Sequence, residues 1–149
     1  MSYINVSGEG EFASLTITLK GLTTGPIEVP ALQDLSVSNA NGVYRFKLLN
    51  STSESAVLTP ATNQVTTTVI LDQTAFFGDG TSTGAAAEGL FNLSNDKVAI
   101  DFVIDMGGAS GKTISGTGFL AGLAMTVTPD QPLWSSPLTI EVSGNYTLA

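Results

Sequence analysis

The chain has 149 residues, of which 13 are acidic and 5 basic, and its formal net charge is −8. It contains no histidine and no cysteine, which excludes Ser-His-Asp and Cys-His catalysis, imidazole and thiolate metal sites, and disulfides. So few basic side chains argue against a nucleic-acid binder or an anionic-membrane binder, since both neutralise phosphates. We therefore expect one acidic globular domain over residues 1–149, with no cofactor and no metal.

Apolar side chains alternate with polar or small ones along most of the chain, as in half-buried strands. In chain order, the alternating residues are Leu15, Ile17 and Leu19; Tyr44, Phe46 and Leu48; Val65, Val69 and Leu71; Val98, Ile100, Phe102 and Ile104; Phe119, Leu123, Met125 and Val127; and Leu138, Ile140 and Val142. Glycine, proline and asparagine turns separate these runs. The pattern predicts a mainly β fold, an antiparallel β-sandwich or barrel of about eight strands.

The opposite faces of these strands are mostly serine, threonine and alanine. A free monomer ordinarily has a well-charged surface, so neutral faces indicate contacts with other subunits. A Ser- and Thr-rich soluble sandwich that stays monomeric is the alternative.

Residues 50–63 have turn chemistry at both ends, which predicts a long loop. Loops of more than about 12 residues are commonly functional. Val57 and Leu58 form a small apolar patch in this segment, and Glu54 lies close by. We predict that these three residues contact a neighbouring subunit. A short strand that covers the core is the alternative.

Residues 83–94 interrupt the strand pattern and predict one short amphipathic helix on the flank of the sheet. Three consecutive alanines favour a helix, and a preceding threonine can cap it. Ala86, Leu90 and Leu93 fall on one helical face. Gly89 opposes the helix, because glycine is a poor helix former.

Asp101 and Asp105 lie two pleats apart on one face of a predicted strand. A pair of carboxylates can bind a hard cation or exchange protons. The sequence places no third acidic residue beside them, so a solvated strand face is the simpler interpretation.

Residues 106–113 end in Gly-Lys-Thr after a strand, as a phosphate-binding loop does. Such a loop requires a glycine at its first position, where this chain has Met106, and a helix directly after it. The following residues are strand-like. A glycine-rich turn between two strands explains the segment better.

From residue 83 onward, the predicted elements are a helix, a strand, a glycine turn and two further strands. The strands lie at residues 97–105, 114–127 and 138–148. The motif residues within them are Gly116, Gly118, Leu120 and Leu123, followed by Gly144 in the last strand. In this order of elements and in these motifs, the chain resembles the tail tube proteins of long-tailed bacteriophages over residues 83–148.

The resemblance implies a virion protein that assembles with itself into stacked hexameric rings and contacts other tail proteins. Sheets would line the lumen, and long loops would reach the next ring. Genome DNA would then pass without specific binding, because an acidic wall repels phosphates, and Asp101 and Asp105 are the candidate lumen residues. The resemblance also implies assembly in the host cytoplasm, without a membrane. The first five residues lack the features of a secretory signal, as such a protein would.

Two other functions remain open. A capsid decoration (cement) protein is also small, β-rich and free of cysteine. A lectin-like or adhesin module is the second, with Trp134 or the tyrosines as a sugar platform; otherwise Trp134 fills a core edge or an interface. An enzyme is not expected, because nucleophile–base pairs are missing.

Overall fold

The computed structural model describes residues 13–22, 24–29, 32–50, 52–80, 84–107 and 111–149. Its elements, in chain order, are β1 (Ser14–Leu19), β2 (Ile27–Glu28), β3 (Leu32–Lys47), β4 (Glu54–Ile70), α1 (Gln73–Phe77), α2 (Ala85–Asn95), β5 (Ala99–Asp105), β6 (Thr113–Ala121), β7 (Thr126–Thr128) and β8 (Gln131–Leu148).

These strands form one antiparallel sheet of eight strands in the order β2-β1-β5-β6-β8-β4-β3, with β7 paired to β8 beside that path. Within the described residues, β2 and β3 are the edges, and the sheet does not close into a barrel. The prediction of a mainly β, antiparallel fold is confirmed.

One face of the sheet is apolar, because alternate residues of a strand point to the same side. The largest fully buried side chains are Phe76, Phe102, Leu15, Ile17, Leu90, Leu93, Ile100, Ile104, Leu138 and Ile140. Fully burying one such side chain contributes about 1.5–3 kcal/mol. Most of the strand members of this core are the residues that the alternation singles out.

Helix α2 covers part of the apolar face, packing on β1, β2 and β6 with Leu90 and Leu93 buried. Its backbone is kinked at Gly89, where φ is 80°. A side chain at this position would overlap the Phe76 carbonyl oxygen and the Gly78 amide nitrogen at the end of α1. Glycine therefore allows the two helices to approach each other closely.

Helix α1 is a short second helix that the pattern of apolar residues does not predict. Asp72 caps it, since a carboxylate oxygen of Asp72 accepts the N–H of Ala75 at 3.0 Å. The signal for this helix in the sequence is Asp72, because aspartate is a preferred residue at the N-cap position. Phe76 is the buried residue of the helix and anchors it to the core.

The predicted loop at residues 50–63 is wrong in its main part. Strand β4 begins at Glu54 and pairs with β3 along its length. Residues 54–62 are exposed, so this part of β4 does not cover the core either. Serine, threonine and asparagine suggest turns, but threonine is also a good strand former, and the partner strand supplies the backbone hydrogen bonds.

Two groups of alternating apolar residues lie outside the core. Tyr44 and Leu48 are 62% and 55% exposed, because they belong to the part of the β3–β4 hairpin that extends past the core. Phe119 is 45% exposed and Leu120 is buried, because Leu120 pairs with the buried Ile140 in the β6–β8 register. The expectation that Phe119 faces the core is therefore wrong.

Candidate assembly surfaces

The first candidate surface is the outer part of the β3–β4 hairpin, residues 37–50 and 52–63, which we call the arm. Asn63 is the last buried residue of β4 on the way out of the core. From there to Glu54 the strand rises about 30 Å. The arm therefore extends the subunit well beyond its core as a two-stranded ribbon.

Both faces of the arm carry exposed apolar side chains. Val43 pairs with Leu58 on one face, and Tyr44 pairs with Val57 on the other. The exposed fractions of these four side chains lie between 50% and 69%. Exposed apolar side chains grouped in this way are typical of interaction surfaces.

The arm differs from the rest of the chain in charge. Arg45 and Lys47, against the single carboxylate of Glu54, leave it with a net positive charge, although the whole chain carries −8. Glu54 lies opposite Lys47 in the strand register. The predicted contact residues Glu54, Val57 and Leu58 thus lie on a paired strand rather than on a loop.

Sequence reasoning misses Val43 and Arg45 as part of this surface. They lie on β3, directly opposite Leu58 and Ala56 of β4. The alternation around Tyr44 indicated a strand, but an alternating strand does not reveal whether its apolar side faces a core.

The base of the arm is fixed by contacts with β8. The Asn63 side-chain amide donates to the Gly144 carbonyl oxygen at 2.7 Å, and the Tyr146 hydroxyl donates to the Ser38 carbonyl oxygen at 2.6 Å. The Tyr146 ring packs edge-on against Phe102, with 6.4 Å between ring centroids. Burial raises the pKa of the Tyr146 hydroxyl above its ordinary value of 10.0, and a hydrogen bond to the Gln64 carbonyl opposes this shift.

The second candidate surface is the face of the sheet opposite the apolar core, which we call the polar face. Its side chains are mostly serine and threonine, and it carries five carboxylates. These belong to Glu28, Asp34, Asp101, Asp105 and Glu141. Among the strand positions of this face that the structure describes, none is a lysine or arginine. The polar face therefore carries charge of a single sign.

Asp101 and Asp105 both lie on the polar face of β5. The two carboxylate oxygens of Asp101 accept the Thr117 hydroxyl at 2.6 Å and the Gly21 N–H at 3.2 Å. Asp105 is exposed, and its carboxylate accepts the Gly107 N–H at 2.9 Å. Asp101 thus has a structural role besides its charge.

The glycine-rich segment after β5 is a connection between two strands. The N–H of Met106 donates to the Lys112 carbonyl oxygen at 3.0 Å, and β6 begins at Thr113. Residues 108–110 of this segment lie outside the described residues. No helix follows the Lys-Thr pair, so the arrangement of a phosphate-binding loop is not formed here.

Two further types of site are absent from the described part of the chain. No group of three or more acidic side chains there is placed to hold a metal ion. No helix there is long and apolar enough to span a membrane. Trp134 is 51% exposed near the start of β8, and its carbonyl oxygen accepts the Leu71 N–H at 2.9 Å.

No protein-family profile matches the sequence, and no curated protein matches it. Several solved structures have the same fold. A subunit of the "tail of empty GTA particle", refined with C6 symmetry, has a TM-score of 0.62 and 13% identity, covering 91% of this chain and 95% of that one. The SPP1 tail tube subunit has a TM-score of 0.67 and 11% identity, covering 97% of this chain and 78% of that one.

A subunit of the anti-feeding prophage baseplate, solved with six-fold symmetry, has a TM-score of 0.61 and 9% identity, covering 100% of this chain and 97% of that one. At sequence identities this low, the similarity between this chain and these structures is a similarity of fold alone. The resemblance found in the sequence of the C-terminal half is thus confirmed as a structural likeness over most of the chain. The chain has the fold of subunits from the SPP1 tail tube and from the tail of the GTA particle.

Proposed function

We propose that the chain is a structural protein of a virion tail, and that it assembles with itself into stacked hexameric rings that form the tail tube. The observation that carries the proposal is the match of nearly the whole chain, 91% and 97%, to subunits of two tail structures. The C6 symmetry of one of these supports rings of six. A structural rather than catalytic role agrees with the missing histidine and cysteine.

The polar face is proposed to line the passage for DNA. Its five carboxylates give it a single sign of charge, and a wall of that charge keeps the phosphate backbone from adhering. Asp101 and Asp105 belong to this face on β5, which lies between β1 and β6 in the sheet. DNA would then pass without specific binding.

The arm is proposed to make the contacts between rings, through Val57, Leu58 and Glu54 on β4 and their partners on β3. Its apolar side chains are exposed in a single subunit, so covering them with another subunit removes apolar area from water. Contacts that repeat from one ring to the next build a tube of many rings. The other partners are tail proteins of the same virion, and the tube is assembled in the host cytoplasm.

Electron microscopy of the purified protein tests the assembly directly. We expect hollow tubes or stacked rings in negative stain. A protein that stays monomeric until it is mixed with capsid shells would instead be a decoration protein. A monomer that binds glycans would be a lectin-like module. Either result would overturn the tail tube.

A shortened arm tests the contacts between rings. Replacing residues 42–60 with Asn-Gly joins Asn41 to Ala61, which already pair in the β3–β4 register, by a favoured two-residue turn. We expect the far-UV circular dichroism of a folded β protein and a loss of tubes. Tubes of normal length would remove the role given to the arm.

A change of charge on the polar face tests whether this face lines the passage for DNA. In assembled virions, Asp101→Asn combined with Asp105→Lys keeps an oxygen acceptor for Thr117, removes one negative charge from the polar face and reverses another. We expect normal tubes and slower DNA ejection. Asp96→Lys, at the end of α2 and away from the polar face, is the control. Ejection at the wild-type rate in the double variant would contradict the lining role.

A further inference from the structure

We infer that the arm of one subunit docks in a specific cleft at the opposite end of the sheet of a second copy of this chain. The docking face of the arm carries Val43, Leu58 and Arg45, and the cleft presents Leu133 and Asp130. This inference rests on the proposed self-assembly and names the surface that receives the arm.

The cleft has a volume of about 300 Å³ and lies where the end of β4 meets the start of β8. Ile70 pairs with Ser135 in the β4–β8 register, which brings the two strands together there. The apolar lining is Ile70, Pro132 and Leu133, and the one charged side chain among the described lining residues is Asp130. Leu133 is 61% exposed, so the cleft is open and apolar with one carboxylate.

One face of the arm has the matching chemistry. Val43 and Leu58 are paired there and are 50% and 69% exposed. Arg45, two residues along β3, lies opposite Ala56, whereas Lys47 lies opposite Glu54. In the strand register, the charge of Lys47 thus faces a carboxylate, and the charge of Arg45 faces none. The face presents an apolar pair and one cation.

The charges of the two surfaces are complementary within a chain that has few cations. The sequence contains no lysine or arginine between residues 48 and 96, or from residue 113 to residue 149. Three segments line the cleft, at Gln33, Ile70 and residues 130–135, and none of these described lining residues is a lysine or arginine, so the cleft repels acidic surfaces of other copies. The arm is the part of the chain that combines two cations with exposed apolar side chains. Opposite charges on complementary patches fix the partner and the register of a contact.

The positions of the arm and the cleft determine which kind of assembly their contact produces. The arm ends at Glu54 and the cleft lies at Ile70, so β4 separates them by about 50 Å. Because they lie at opposite ends of the subunit, a contact between them is head-to-tail. Such a contact leaves a free arm at one end and a free cleft at the other, and it repeats without limit unless it closes on itself. This is the geometry that stacking of rings requires.

A charge exchange tests the pairing. Arg45→Glu and Asp130→Arg each place like charges in the contact, and we expect each to raise the critical concentration for tube formation at least about tenfold, since such contacts cost several kcal/mol. The double variant restores opposite charges, and we expect tubes near the wild-type concentration. Asp96→Arg makes the same charge change as Asp130→Arg at a site outside the cleft, and it should assemble normally.

Mixing the two single variants gives a second, independent result. The arm of each variant fits the cleft of the other, so the equimolar mixture should form tubes under conditions in which neither variant does so alone. Thermal unfolding checks that both remain folded, as expected for exposed positions. Single variants that assemble like wild type, or folded variants rescued neither by the double change nor by mixing, would overturn this pairing. If the wild-type protein forms no tubes at all, the proposed function itself fails.

Discussion

The Tyr146 hydroxyl donates to the carbonyl oxygen of Ser38 across 2.6 Å, although 108 residues separate the two in sequence. The bond joins β8 to β3 at the point where the arm leaves the core. Asn63 makes the neighbouring bond to Gly144 at 2.7 Å. Together, these bonds fix the direction of the arm relative to the sheet.

Tyr146→Phe removes the hydroxyl, which donates to the Ser38 carbonyl oxygen and more weakly to that of Gln64, and it keeps the ring that packs on Phe102. We expect a loss of about 0.5–1.5 kcal/mol in the free energy of unfolding, the usual net value of one hydrogen bond. Urea denaturation measures it. Tyr44→Phe is the matched control, since Tyr44 is 62% exposed, and it should change stability by less than about 0.5 kcal/mol. Equal effects of the two changes would contradict the role of the Tyr146 bond.

The raised pKa of Tyr146 predicts a pH dependence of stability. The folded state favours the protonated phenol more than the unfolded state does, so this contribution is complete below the unfolded pKa of 10.0 and is lost as the pH rises through the folded value. The stability difference between wild type and Tyr146→Phe should therefore shrink above pH 10. Urea titrations at pH 8 and at pH 11 would show it. A constant difference would rule out the coupling.

Substitutions at Gly89 and Gly80 separate the cost of lost close packing from the cost of backbone strain. Both have positive φ, 80° and 70°, but a side chain at Gly89 would overlap the backbone of α1, whereas Gly80 has open space around it. Gly80→Ala should cost about 1–2 kcal/mol, the strain of a left-handed residue. Gly89→Ala should cost clearly more, because α1 and α2 must separate. Thermal melts of the two variants measure the difference, and equal melting temperatures would show that the helices do not approach as described.

Asp101 should stabilise the fold through its two accepted hydrogen bonds. Asp101→Ala should lower the free energy of unfolding by about 1–3 kcal/mol, because the Thr117 hydroxyl and the Gly21 N–H lose their acceptor. Asp101→Asn keeps an acceptor oxygen and should cost less. A double-mutant cycle with Thr117→Val should give a coupling of at least about 0.5 kcal/mol. Strict additivity would mean that the two side chains act independently.

The strands of the core could be predicted because burial on one face leaves a period of two in the sequence. Leu15, Ile17, Ile100 and Phe102 all follow it and are buried. The arm could not be recognised in the same way. Its outer part has no core beside it, so residues 54–62 carry no alternation, and nothing in their own pattern shows that they pair with β3, the preceding strand.

The candidate surfaces were less accessible to sequence reasoning than the fold. Asp101 and Asp105 could be placed on a common face from their spacing alone. The cleft could not be foreseen, because it depends on the pairing of Ile70 with Ser135, which are far apart in sequence. Trp134 is the isolated aromatic residue of this part of the sequence, whereas its neighbour Leu133 is the one that lines the cleft.

The two-stranded form of the arm has a kinetic consequence. A ribbon of two strands is at best marginally stable in water by itself, so a lone subunit gains little from keeping its arm in order. The first contact between subunits must order the arm as well as form the contact. A subunit that joins an existing end meets a surface already in place. Tube growth should therefore begin after a lag, and added short tube fragments should abolish this lag. Free subunits would then join existing tubes and stay unassembled where no tube has been started.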